Sequence, residues 1–401
     1  MGQNNKNYLY YGKHKSINNL PKHKKKTPNN PNKVLLSSNN LLTVSNNCCT
    51  ELILFTFKVN YMKLLSAITF IVVLVSFNLQ ANHMTEQHSK SLYTKPVFEP
   101  MLNGEWIGLG IAYGSYRDNE SPDRKSVSSE QDILEDITIL TTNHGVSWNL
   151  IRMYAADPAS EQVLKTIKKH NLPVKVMQGA WLSSTQSDAE NEQQISEVIR
   201  LANEYKDIVV SVNLGNEIFV DWSAHKLELS DIPQYLNWVK KVKAAVDVPV
   251  TLADDYNFWN KPWSQEIAQQ LDYIVLHAYA MWNSQALDNA VPWTEKTYHD
   301  IAALHPNKQI ALGESGWATS SVGSNGDEGL IIGEASEKAQ KIFFNTYRQW
   351  LKDNRIVSFY FQAFDEKWKG GEDKPDAIAE KNWGVFNSDR TPKLVVQGAS
   401  K

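Results

Sequence analysis

Two glutamates stand at the ends of apolar runs, where a carboxylate is costly unless it is paired or used. Glu217 follows Val210-Ser211-Val212-Asn213-Leu214-Gly215-Asn216, and Glu314 follows Ile310-Ala311-Leu312-Gly313. Taken singly, each reads as a carboxylate that satisfies a helix N-terminus or a buried arginine. As a pair, each in a glycine-containing turn, they match a division of labour around an acetal. One protonates the leaving oxygen while the other attacks the anomeric carbon or activates a water. Retention of configuration requires the carboxyl groups roughly 5–5.5 Å apart, and inversion roughly 6.5–9.5 Å. Competing chemistries are weak. The ten histidines contain no His-x-x-x-His pair, and the two cysteines are adjacent (Cys48, Cys49), so no metal site is expected. Gly108-Leu109-Gly110-Ile111-Ala112-Tyr113-Gly114 has the wrong glycine spacing for a dinucleotide turn, and a loop-like stretch follows it. Two carboxylates suffice, and no cofactor is expected.

The glutamates need elements to hold them. Short apolar runs of strand type recur at Trp106–Tyr113, Trp148–Tyr154, Pro173–Ala180, Ile208–Leu214, Val248–Ala253, Leu271–Tyr279, Gln309–Gly313 and Ile356–Phe364. Their consecutive apolar positions suit strands covered on both faces. Between them lie patterns of helical period, such as Ile133, Leu134, Ile137 and Leu140, or Ile232, Tyr235, Leu236, Val239, Val242 and Val246. Eight such alternations predict an α/β protein with a closed (β/α)8 TIM barrel as a single catalytic domain over 101–401, ahead of an open doubly wound sheet. In that architecture working groups stand at the C-terminal strand ends. Those ends supply Tyr113, Arg152, Tyr154, Gln178, Trp181, Asn216, Asp254, Asp255, His277, Tyr279, Glu314 and the segment from Gln362 to Glu366.

The ordered set is specific. Tyr113-Gly114, Ile151-Arg152-Met153-Tyr154, Leu172-Pro173-Val174-Lys175-Val176-Met177, Asn216-Glu217 and Gly313-Glu314-Ser315-Gly316-Trp317-Ala318-Thr319 occur in that order. Phe364-Asp365-Glu366-Lys367-Trp368-Lys369 and Trp383-Gly384-Val385-Phe386-Asn387 complete it. Over about residues 104–394 the chain resembles glycoside hydrolase family 17, the β-1,3-glucanases. The resemblance implies a retaining mechanism on laminarin-like β-glucans, with Glu217 as acid/base and Glu314 as nucleophile. A glucanosyltransferase, an exo-acting enzyme or a silent glucan-binding barrel are the alternatives to an endo-acting hydrolase. Arg152 and Tyr279 are candidate donors to Glu314, and Asn216 to a sugar 2-hydroxyl. Tyr113, Tyr154, Trp181, Trp282, Trp317 and Phe361 are candidate faces for glucose rings, and Glu366 and Lys369 candidate partners of sugar hydroxyls. His277 stands where plant members of the family carry asparagine, and Ala280-Met281-Trp282 replaces their Pro-Tyr continuation. These two departures are expected to bear on the outer binding subsites and not on the two glutamates.

The 401 residues carry a net charge of −3 at pH 7, but the average hides a split. Residues 1–61 have nine lysines, thirteen asparagines and a single acid, Glu51, for a net +8. Met62-Lys63, the apolar run Leu64–Phe77 and Ala81 then read as a secretory signal peptide over 62–81, which places the true start at Met62 and makes 1–61 an upstream extension expected to be disordered. With +1 at Lys63, a chain total of −3 leaves −12 for residues 82–401, which contain no cysteine. Residues 82–100 read as a short leader to the barrel. An acidic, cysteine-free product fits export without disulfides and excludes a nucleic-acid partner. The expectation is a secreted monomer whose partner is a β-glucan and which keeps no membrane association after signal cleavage.

Overall fold

Eight parallel strands close into one barrel, and each is short because only a few residues are needed to cross its wall. In chain order they are β1 (Leu109–Ala112), β2 (Leu150–Arg152), β3 (Lys175–Ala180), β4 (Val209–Asn216), β5 (Val250–Asp255), β6 (Ile274–His277), β7 (Ile310–Ser315) and β8 (Ser358–Tyr360), with β8 pairing back onto β1. The computed structural model describes residues 97–142, 146–323, 326–371 and 377–397. The expected upstream extension and signal peptide lie outside the described residues. Among the described residues no helix is long and apolar enough to cross a membrane.

Helices α1 (Glu130–Thr142), α2 (Pro158–His170), α3 (Asp188–Glu204), α4 (Ile232–Lys243), α5 (Tyr256–Trp259), α6 (Ser264–Gln270), α7 (Leu287–Leu304) and α8 (Glu337–Asp353) fill the connections. Their starts are written locally. Asp157 accepts from the Ser160 amide with Pro158 following, and Ser187 and Glu190 form a reciprocal capping box. The apolar face of α1 departs from the expected set. Leu134 is half-buried, and Asp136 is buried beside Ile133, Ile137 and Leu140.

Two cores result. The larger lies between strands and helices. The smaller fills the barrel interior with Leu150, Met177, Ala253, Val275, Ala311 and Phe359, and Phe98 and Tyr273 stack within it at 4.9 Å. Phe98 is anchored through both its backbone N–H and its carbonyl to the Gln309 side chain. Phe98, which falls in the expected leader over 82–100, thus packs into the barrel core. Burying its ring there removes apolar surface from water and stabilises that end of the barrel.

Candidate active site

Both glutamates follow a glycine at an irregularity in strand pairing. β4 slips register against β5 between Asn213 and Asn216, and Gly215 takes a left-handed φ of 95°, where a β-carbon would sit 2.5 Å from Ile218. β7 slips against β6 beside Gly313, where a β-carbon would meet Val275 at 2.3 Å and the His277 ring at 2.8 Å. Such bulges re-aim the side chains that follow. Glu217 itself has a φ of 54°, and its turn is pinned by Asp254, whose carboxylate accepts from the Phe219 and Asp255 amides.

The two carboxylates converge. A carboxylate oxygen of Glu217, one of Glu314 and a ring nitrogen of His277 all lie within 4.8 Å of one another. Glu314 is surrounded by donors. Arg152 gives Oε1 a bond of 2.8 Å, the Tyr154 hydroxyl gives Oε1 another of 2.8 Å, and the Tyr279 hydroxyl gives Oε2 one of 2.7 Å. Burial alone would raise this carboxyl, but the imidazole of His277, the Arg152 guanidinium and the Tyr279 and Tyr154 hydroxyls outweigh it and hold it at about 2. Glu217 is driven the other way. Burial and the charge of Glu314 push it well above the usual carboxylate range, against Arg152. Its Oε1 meets His277 Nδ1 at 2.8 Å.

Arg152 and Tyr279 reach Glu314 as the expected donors, and other predicted residues reach the site in different roles. Arg152 is fully buried and touches no open space. It bonds Glu314, the Gly313 carbonyl and, at 2.6 Å, Asn216 Oδ1. Fixing Asn216 by its oxygen leaves its two amide N–H donors unspent. Tyr154, a candidate aromatic face for glucose, instead donates its hydroxyl to Glu314. His277 is fully buried and meets Glu217 instead of a sugar. Trp181 is half-buried with its ring 4.6 Å from that of His225, which in turn bonds the Asn216 carbonyl.

Two predicted sugar platforms are packing residues. The Tyr113 hydroxyl donates to Asp136, which also pairs with Arg390 and Arg117, and its ring is 2% exposed. Trp317 is fully buried against Phe343 with its indole N–H on the Glu334 carbonyl. Trp282, Tyr279 and Phe361 each have an edge or face against Trp383, a buried residue that the strand-end reading did not list as a site candidate. Glu366 and Lys369 are buried, 3.3 Å apart, with the ammonium 4.6 Å over the Phe361 ring. Glu380 was missed altogether. Burial lifts it to about 7 against the pull of Lys369, with Glu314 adding to the rise. Nothing local marks it, since it sits in a run of charges that reads as surface. The trio Glu217, His277 and Glu314 is also the grouping that could hold a cation among the described residues. Arg152 already neutralises one of its carboxylates, which weakens it as a resident metal site.

Residues 110–384 match the BtgE/BtgC glycoside hydrolase domain. The chain belongs to that family. An Aspergillus niger protein described as a glucan endo-1,3-beta-glucosidase, btgC, is 26% identical over 283 residues, 66% of this chain and 40% of that protein. The chain thus spans about 40% of the length of the btgC relatives it matches. A glucan 1,3-beta-glucosidase of Arthroderma benhamiae is 25% identical over 301 residues, covering 71% of this chain and 89% of that one. Among solved structures, an endo-laminarinase from Formosa Hel1_33_131 superposes with a TM-score of 0.63 at 25% identity, over 72% of this chain and 86% of its own. A family 17 β-1,3-glucanosyltransferase from Rhizomucor miehei shares the fold, with a TM-score of 0.58 at 19% identity over 73% and 99%. In this BtgE/BtgC glycoside hydrolase domain, Glu217 directly follows β4 and Glu314 lies in the last residues of β7, both at C-terminal strand ends.

Proposed function

We propose that this glycoside hydrolase domain cleaves β-1,3-glucosidic bonds in laminarin-like glucans with retention, as a family 17 enzyme acting within the chain, with Glu217 as acid/base and Glu314 as nucleophile. The observation that carries the reading is the pair itself: carboxylate oxygens within 4.8 Å, one group driven down and the other up. Carboxylate oxygens that approach within this distance favour the short separation of a retaining pair over the wider one that admits a water. The names of its relatives support β-1,3-glucan as the substrate.

In the first step an oxygen of ionised Glu314 bonds to the anomeric carbon. The Glu217 proton passes to the departing oxygen as that bond breaks. In the second step Glu217, now a carboxylate, takes a proton from water. The water oxygen displaces Glu314 from the same carbon, and configuration is retained. Arg152, Tyr154 and Tyr279 keep the nucleophile ionised, and the spare Asn216 donors serve the sugar 2-hydroxyl. The apolar run Leu64–Phe77 after Lys63 supports secretion.

The test is azide rescue on an aryl β-laminaribioside with a good leaving group. In Glu314→Ala, azide replaces the nucleophile and attacks once, so the product is the α-azide. In Glu217→Ala, azide intercepts the glycosyl-enzyme, so the product is the β-azide. Swapped products, or undiminished sugar release from laminarin by either variant, refute the assignment. Oligosaccharides longer than those supplied would replace hydrolysis by transfer.

A further inference from the structure

His277 ends β6 with its ring fully buried and Nδ1 2.8 Å from Glu217 Oε1. Its other nitrogen, Nε2, is buried and has no hydrogen-bond partner. Nε2 lies against the α-carbon of Gly313, so close that a β-carbon there would stand 2.8 Å away. A neutral imidazole carries one N–H, on one nitrogen or the other. On Nε2 that hydrogen would be a stranded buried donor. On Nδ1 it finds a carboxyl oxygen, and only a lone pair is stranded.

We infer that His277, as the neutral Nδ1–H tautomer, occupies Oε1 of Glu217 and so confines the acid proton to Oε2, the oxygen left to meet the leaving group. The inference rests on Glu217 being the acid/base. Burial keeps the imidazole neutral by pushing it down to about 4; Glu314 opposes that, Arg152 adds to it and Asp255 opposes it. The groups facing the pair come from every side: Glu314 on β7, Arg152 on β2, Asp254 and Asp255 ending β5, and Lys369 and Glu380 beyond β8. None of them is placed by a hydrogen bond on Glu217 itself.

His277 neither gains nor loses a proton in this scheme. In the first step the proton leaves Oε2 for the glycosidic oxygen as that bond breaks and the bond from Glu314 to carbon forms. Nδ1–H stays a donor to the carboxylate that remains. In the second step the proton from water returns to Oε2. His277 is thus a positioning residue. Because a donor favours the carboxylate over the acid, it also holds Glu217 lower than burial and Glu314 alone would set it.

The experiment compares His277→Leu, which keeps the site dry but removes the donor, with His277→Asn, whose amide restores one. The pH profile of kcat/KM is measured on laminarin and on an aryl laminaribioside whose leaving group needs no acid. In the leucine variant the alkaline limb rises by about one pH unit while the acid limb stays. The rate on laminarin falls about 10–100-fold, and on the aryl substrate less than about threefold. The asparagine variant returns the alkaline limb toward wild type. An alkaline limb that moves down in the leucine variant would mean that Nδ1 accepts the proton of Glu217, which overturns the inference. An unmoved limb, or equal losses on both substrates, reduces His277 to packing and overturns it as well. Glu217→Gln in the same assay separates the two readings: full activity on laminarin there sinks the acid/base assignment itself, and a leaving-group-dependent loss keeps it whatever the His277 variants show.

Discussion

Arg152→Met tests how the nucleophile is kept ionised. The guanidinium stands 2.8 Å from Glu314 Oε1, with both side chains almost completely buried. Charge centres about 4 Å apart attract by ~4 kcal/mol at an effective dielectric of about 20, equivalent to about three pKa units. Methionine fills similar length without the charge. Glu314, held at about 2 in the intact site, should then titrate near about 5. The acid limb of kcat/KM moves up accordingly, so the loss of rate is steepest below about pH 5 and shrinks toward neutrality. Stability follows the same sign. The depressed carboxyl contributes stability that is present above its unfolded value of 4.5 and is lost as pH falls toward about 2. The variant lacks that contribution, and breaking a buried pair costs about 3–5 kcal/mol in thermal or denaturant unfolding. Arg152→Lys keeps the charge but not the fork that also reaches Asn216 at 2.6 Å, so its acid limb stays low while its rate falls. The measurement is a pH–rate series on laminarin for all three proteins, checked for folding by circular dichroism. An acid limb that does not move in the methionine variant, with the same fractional loss at every pH, would refute the reasoning.

Two further substitutions probe the frame around the site. Gly313→Ala places a methyl 2.3 Å from Val275 and 2.8 Å from His277, so the imidazole is displaced from Glu217. Overpacking of this kind costs about 1–3 kcal/mol, and the expected signature is a fall in kcat larger than any rise in KM, read by steady-state kinetics beside a melting curve. Asp136→Ala leaves Arg390 buried without the carboxylate it meets at 2.8 Å, together with the Tyr113 hydroxyl. A loss of about 3–5 kcal/mol in urea unfolding is expected, with activity per folded molecule unchanged. A fall in specific activity as large as the fall in stability would return Tyr113 to the sugar site.

The strand ends were legible in the sequence because both faces of a barrel strand are covered. Each of the eight apolar runs overlaps the strand that forms, five contain it whole, and the alternation with helical periods left little choice of architecture; β4, β5 and β7 continue two residues past Leu214, Ala253 and Gly313 and end on polar residues. Other runs overshoot, as Leu271–Tyr279 does against β6 over Ile274–His277, because residues flanking a strand are also buried there. Aromatic residues misled for the same reason. Tyr113 and Trp317 stand at strand ends as sugar platforms would, yet one donates to Asp136 and the other packs against Phe343. Apolar area buries equally well under glucose or under a helix, so residue type does not separate the two.

The sequence by itself determined the alternating strands and helices, the placing of Glu217 and Glu314 at the ends of β4 and β7, and the glycines those turns require. These are local facts, written in periodicity and in the backbone freedom of single residues. Only the tertiary structure decided which side chains meet: Arg152 with both Glu314 and Asn216, His277 with Glu217, Asp136 with Arg390, Phe98 in the barrel floor. Each of those contacts joins residues distant in the chain, and hydrogen-bond distance and burial exist only once the barrel closes. The opposed protonation of the two glutamates belongs to that second kind, because it arises from desolvation and neighbouring charge and from nothing in the glutamates themselves.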